Sequence, residues 1–319
     1  MFDADPWTRK TTHVKHAPEM TKEITLLIIG AVAFGQETHW EAGTTVPSGH
    51  RMKFQEAVRI VSEELLFRVA MPHWVWGNKE TRKRIGLGGI ASWGWLGSKI
   101  KNVAIAFAEL EQYMQEIVAE QSSNGSQDRR DIISQLVKGS GEDAEDRLSM
   151  REVIGNTFIF LIAGHETTAH SLAYLWGLLA LEEDKQDKLY RHITTVLGDK
   201  QPVYDDITSL NLVLAYFYES LRLFPPVVNI PKYATQDTTI PVSPAVASDG
   251  VSQLDPLAKP KTLFVPKGTE MLVSASGLHY NPRYWKDPKE FKPERFLEPD
   301  WPRDAFVAFS SGPRACIGR

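Results

Sequence analysis

Cysteine is almost missing from this chain: among 319 residues there is one, Cys316. A lone cysteine excludes an internal disulfide, a multi-cysteine zinc site and the secreted disulfide scaffold. Long hydrophobic runs are missing as well. The best early run, Leu26 to Phe34, falls well short of the roughly 20 residues that cross a bilayer. Val153 to Ala163 is also short, and it leads straight into polar His165 and Glu166. Met1-Phe2-Asp3-Ala4-Asp5-Pro6 does not read as a signal peptide. There is no basic excess: 36 Lys and Arg stand against 40 Asp and Glu, a formal net charge of -4. That excludes the basic footprint of a nucleic-acid binder. No internal repeat is visible. The 42% apolar content is that of a globular protein, and the length allows one large or two ordinary domains.

Helical periodicity dominates what is there. Residues 1–20 are polar and irregular, and Glu19 to Phe34 reads as a helix with a broad apolar face. Lys53 to Val69 repeats apolar residues at Phe54, Ala57, Val58, Val61, Leu65 and Leu66, and Pro72 ends it. The Trp74, Trp76, Trp93 and Trp95 region reads as irregular, with its rings in the core. Asn102 to Glu120 is an amphipathic helix, followed by a solvated loop over 121–126, a short helix over Asp131 to Val137, and a linker over 139–145. Ser149 and Glu152 form a capping box that opens a long helix over 149–181, apolar on all sides in its first half. A charged helix from Glu182 to Val196 stops at Gly198. Another runs from Ser209 through Leu223 and stops at Pro225-Pro226. Strand signals follow: Thr262–Val265 and Met271–Val273 flank Pro266-Lys267-Gly268-Thr269 and predict a hairpin, with Pro241–Pro260 as a surface loop.

Three segments carry chemistry. The long helix holds Ala163-Gly164-His165-Glu166-Thr167-Thr168; a glycine inside a helix costs about 1 kcal/mol, and a carboxylate among apolar neighbours needs a partner. Its plainest reading is a polar patch at a helix contact. Glu219-Ser220-Leu221-Arg222 places an acid and a guanidinium on one helix face between apolar neighbours, so burial would demand further partners. Phe309-Ser310-Ser311-Gly312-Pro313-Arg314-Ala315-Cys316-Ile317-Gly318-Arg319 frames the lone cysteine. A cysteine of this kind is either a small buried hydrophobe or an axial thiolate to a metal whose other ligands belong to a cofactor.

The last segment has the Phe-x-x-Gly-x-Arg-x-Cys-x-Gly spacing of the cysteine loop of the cytochrome P-450 superfamily, which the chain resembles. Three more family motifs occur in order. They are Ala163 to Thr168 as the distal-helix signature, Glu219 to Arg222, and Phe291-Lys292-Pro293-Glu294-Arg295-Phe296. The resemblance implies a mainly α fold with a small β-region, in one partial cytochrome P-450 domain over 1–319. Within it, 149–181 is the distal helix and 309–319 the haem-binding loop. It implies haem b, with Cys316 as the iron ligand, Arg314 and Lys232 on the propionates, and Phe309 shielding the sulfur. Gly312 and Gly318 let the backbone approach it. Ala163 and Gly164 would line the cofactor, with Gly164 leaving room for dioxygen, and Glu166 and Thr167 would deliver protons; His165 falls at the variable position and is structural. Glu219, Arg222 and Arg295 form a structural triad, and Pro225 to Ile230 a wall beside the haem.

The implied reaction is monooxygenation of an apolar organic substrate with O2, fed by an NADPH–cytochrome P-450 reductase. The motifs resemble the eukaryotic branch, fungal members especially, which implies an endoplasmic reticulum membrane for the full-length parent. Against the family pattern, an early haem-contacting helix and the helix that follows the cysteine are expected to lie outside the chain. Two alternatives stay open: reductase-independent haem-thiolate isomerisation or dehydration, and a haem-free inactive fragment.

Overall fold

The computed structural model describes residues 16–34, 46–76, 94–123, 131–138, 148–242, 245–248, 251–254 and 261–319. The predicted linker over 139–145, the irregular 1–15, Trp93 and residues 124–126 lie outside the described residues. The fold is mainly α with small antiparallel ladders, as the sequence predicts. The chain divides into two compact units, Met1–Ala169 and His170–Arg319.

The first unit is helical: α1 (Ala17–Phe34), α2 (Phe54–Ala70), α3 (Gly94–Ser123), α4 (Ile132–Lys138) and the start of α5 (Met150–Leu181). Its core follows the 3.6-residue repeat, with Ala57, Val58 and Val61 of α2 buried alongside Val103, Ala106, Leu110 and Met114 of α3. Ahead of α2, His50 stacks on Tyr113 at 3.7 Å, and its ring nitrogens lie 3.0 Å from Glu109 and from Glu116. The capping box opens α5 as predicted. Ser149 N–H donates to Glu152 Oε2 at 2.7 Å, and Glu152 N–H donates to Ser149 Oγ at 3.3 Å.

Three expectations for this unit change. α3 begins at Gly94, well before Asn102, so Trp95 is helical. It is also 76% exposed, because it precedes the first buried position of the helix, Gly97. Trp76 does pack, under Arg68 at 4.2 Å and edge-on to Phe67. α5 is not buried all round: Val153, Thr157, Leu161, His165 and Ala169 form a buried stripe at four-residue spacing. Gly155, Ile159, Ala163 and Thr167 form an exposed one, with Ile159 at 58%.

Among the described residues, the second unit holds the end of α5, then α6 (Glu183–Leu197), α7 (Asn211–Leu223), six strands and the short α8 (Ala275–His279). Tyr216 of α7 is buried edge-on to Phe291, and its hydroxyl donates to Lys185 O at 3.0 Å. Burial, followed by the nearby Glu294 charge, raises that phenol to about 12.

The strands overturn the predicted hairpin. β1 (Asn229–Tyr233) pairs with β6 (Glu270–Ser274), β2 (Thr238–Val242) with β5 (Lys261–Val265), and β3 (Ala245–Ser248) with β4 (Val251–Leu254). The segments flanking Pro266–Thr269 therefore belong to different ladders. The pairs nest in sequence as three separate two-stranded antiparallel ladders. The turn after β1 and the turn before β6 bond to each other, Ala234 N–H to Thr269 O at 3.0 Å and Gly268 N–H to Ala234 O at 2.8 Å. The described part of 241–260 is thus strand, where a loop was expected: proline and serine lower strand propensity, but ladder bonds override it.

Candidate functional site

The α5 motif sorts its residues by helix face. Ala163 and Thr167 lie on the exposed stripe, and the Thr167 hydroxyl donates to Ala163 O at 2.7 Å, one turn back. Glu166 is half-buried beside them. Gly164 and His165 face α1. His165 is 4% exposed; its Nε2–H donates to Lys22 O at 3.0 Å, and its own carbonyl accepts from Thr25 Oγ1 at 3.1 Å. A side chain at Gly164 would begin 3.0 Å from Ile29 Cδ1. On this side the glycine serves the close approach of α1 and α5.

In the second unit Glu219 and Arg222 are wholly buried, which demands that every polar atom find a partner. They do. Arg222 Nε and Nη2 donate to Glu219 at 2.7 and 2.9 Å; Nη1 donates to His279 O and Pro288 O, both at 2.7 Å, and Nη2 also to Glu290 O at 3.2 Å. A guanidinium has five N–H donors, and all are used. Glu219 Oε1 also accepts from Arg295 Nε at 3.1 Å and from Lys292 N–H at 2.8 Å. The structure brings the three predicted residues together.

The cluster ties α7 to the segment over 279–295 that leads toward the cysteine loop. Within that loop Ser310 N–H bonds to Val307 O at 2.9 Å, and Cys316 N–H to Phe309 O at 2.8 Å. Ser310 and Gly312 adopt φ of 59 and 79, so the loop turns through left-handed backbone, which glycine tolerates and serine seldom enters. Phe309 meets Phe306 edge-on at 6.3 Å. Lys232 reaches the loop from β1, its Nζ 3.4 Å from Ser310 Oγ. Pro225 is buried, whereas Val227 and Val228 are about half exposed at 48% and 49%.

Cys316 is exposed, which removes the reading of a small buried hydrophobe. The donor set fits an iron porphyrin: one accessible sulfur, Arg314 exposed two residues before it, and Lys232 reaching the same loop from β1, both cations able to pair with anionic groups such as propionates. A side chain at Gly318 would begin 4.0 Å from Sγ, so glycine keeps that flank of the sulfur clear.

Sequence reading missed His279. The residue is fully buried and bonded through both ring nitrogens: Nδ1–H donates to Arg222 O at 2.9 Å, and Nε2 accepts Val307 N–H at 3.0 Å. A carbonyl cannot donate and an amide N–H cannot accept, so the tautomer is fixed. Burial lowers His279 to about 4, with the hydrogen bond to Arg222 O opposing and the Arg222 charge reinforcing the shift. Within Leu278-His279-Tyr280 no spacing signal points to it.

A mainly helical chain with an exposed lone thiol on a glycine turn, locked to a buried Glu–Arg–Arg cluster, has the build of a haem-thiolate protein. The family model described as cytochrome P-450 matches residues 90–242 and 258–319. Cytochrome P-450 monooxygenase 124 of Postia placenta is 39% identical over 320 residues, covering 99% of this chain and 56% of the relative. Cytochrome P-450 monooxygenase prx9 of Penicillium rubens is 25% identical over 359 residues, covering 99% and 57%. The solved haem domain of a cytochrome P-450DA mutant aligns with a TM-score of 0.67 at 19% identity, over 99% of this chain and 60% of that one. The chain belongs to the cytochrome P-450 family. It spans about half the length of the curated relatives it matches.

Proposed function

We propose that this chain carries the thiolate and distal-helix portions of a monooxygenase that inserts one oxygen atom of O2 into an apolar organic substrate. The observation that carries the reading is the exposed Cys316 thiol, held by its own amide on a loop that Lys232 also reaches. Haem b, when bound, supplies the activation of dioxygen. Cys316 would ligate its iron as the thiolate. Arg314 and Lys232 would pair with the propionates, Lys232 as a point charge without the bidentate fork of arginine. With haem bound, Phe309 would help to shield the sulfur from water, and Gly312 and Gly318 let the backbone close around it.

On α5 the exposed Gly155–Ile159–Ala163–Thr167 stripe offers an apolar surface with one hydroxyl, suited to an apolar substrate and a small diatomic ligand. A hydroxyl that donates to a carbonyl still accepts through its oxygen. Thr167 would therefore accept a proton at Oγ1, supplied from the Glu166 carboxyl through water, and give up its own hydroxyl proton to the oxygen ligand once that O–H turns away from Ala163 O. Electrons come from an NADPH–cytochrome P-450 reductase, whose membrane places the reaction at the endoplasmic reticulum. No helix among the described residues is long and apolar enough to cross a membrane.

The test is the absorption spectrum of the haem-loaded chain, reduced and exposed to carbon monoxide. The strongly red-shifted band of thiolate ligation is expected, and Cys316→Ala should abolish it. A band like that of histidine ligation in the unmutated chain would overturn the reading.

A further inference from the structure

His279 lies between two structures that the cysteine loop depends on. On one side its Nδ1–H holds Arg222 O, the carbonyl of the residue at the centre of the buried ion cluster. On the other, its Nε2 holds the amide of Val307. Val307 O in turn accepts Ser310 N–H, closing the left-handed turn, and Phe309 O accepts Cys316 N–H. The ring itself stacks on Phe306 at 5.4 Å with 14° between planes, so its azimuth is fixed by packing as well as by bonding. A run of consecutive hydrogen bonds thus leads from the Glu219–Arg222–Arg295 cluster, through one imidazole, into the base of the loop.

We propose that His279 is a positioning residue for Cys316: it sets where the loop begins by gripping the Val307 amide, and so fixes where the sulfur is presented. Only a neutral imidazole can do this, since a second N–H would face the Val307 donor. Its functional meaning rests on the reading of Cys316 as iron ligand, but its first readout needs no haem.

The experiment compares amide hydrogen exchange in the unmutated chain, His279→Phe and His279→Gln. Phenylalanine keeps a ring for Phe306 and loses both hydrogen bonds; glutamine restores one donor and one acceptor on a single amide, spaced like the two ring nitrogens. Exchange at Val307, Ser310 and Cys316 is expected to rise roughly tenfold or more in His279→Phe, the worth of a hydrogen bond or two. Amides of the β1–β6 ladder and of α7 before Ser220 should keep their protection, and His279→Gln should recover much of the loss. In the haem-loaded chain the thiolate band should weaken in the same order. Unchanged exchange at Cys316 in His279→Phe would overturn the proposal. So would a rise spread evenly over the β1–β6 ladder and α7, which would make His279 a general packing residue. A missing thiolate band in the unmutated chain would count against the proposed function alone, leaving the exchange result to decide this point.

Discussion

At the scale of single residues, the site is governed by satisfied burial. Arg222 uses every donor it has, and Glu219 gathers both arginines and a backbone amide, so a pair of charges persists where water does not reach. His279 shows the same rule for a neutral group. Its ordinary value of 6.5 falls to about 4 in the fold, chiefly through burial. The unfolded chain therefore takes up a proton below 6.5 that the folded chain refuses until about 4. Stability from this group is whole above pH 6.5 and is lost as pH falls from 6.5 to about 4. The loss is on the order of 3 kcal/mol. Urea unfolding across that window should show the advantage of the unmutated chain over His279→Phe shrinking as pH falls; a constant gap would refute the assignment.

At the scale of elements, α1 against α5 is the contact most open to measurement. Alanine at Gly164 should favour the helix by about 1 kcal/mol, yet its methyl would begin 3.0 Å from Ile29 Cδ1. Ile29→Val deletes that one atom. In a double-mutant cycle, Gly164→Ala should be more favourable by about 1 kcal/mol in the Ile29→Val background than in the unmutated chain, read by chemical unfolding. The helices themselves were legible in the sequence, because the repeat of Val103, Ala106 and Leu110 or the Ser149–Glu152 box states its geometry locally. Burial of the Glu219–Arg222 pair was legible for another reason: apolar flanks around an ion pair announce burial, whereas Arg295 joined it only through the family resemblance. Strand pairing was not. Two strand-like segments around Pro266–Thr269 imitate a hairpin, and nothing local says that β6 will choose β1 across the intervening strands. The two faces of α5 were equally hidden, since apolar residues on both stripes mask which one is covered. His279 left no trace at all, because a partner such as Val307 is known only once the chain has folded.

At the scale of the whole molecule, two compact units carry separate buried clusters, one around Leu110 and Val58, another around Tyr216 and Phe291. Leu110→Ala should cost about 2–5 kcal/mol and Phe291→Ala about 3–5 kcal/mol. Their sum should describe the double variant to within about 0.5 kcal/mol, as scanning calorimetry or urea titration would show; a larger discrepancy would mean that the two sites are energetically coupled. The nested ladders have a different kind of consequence. β1–β6 and β2–β5 flank the turns that interlock, Ala234 with Gly268 and Thr269, while β3–β4 is the innermost pair of the nest. Residues added or removed there, in matched numbers on both strands, leave every pairing nearer the cysteine loop in register. The innermost pair is therefore where this chain can accept a grafted peptide or a shortened arm.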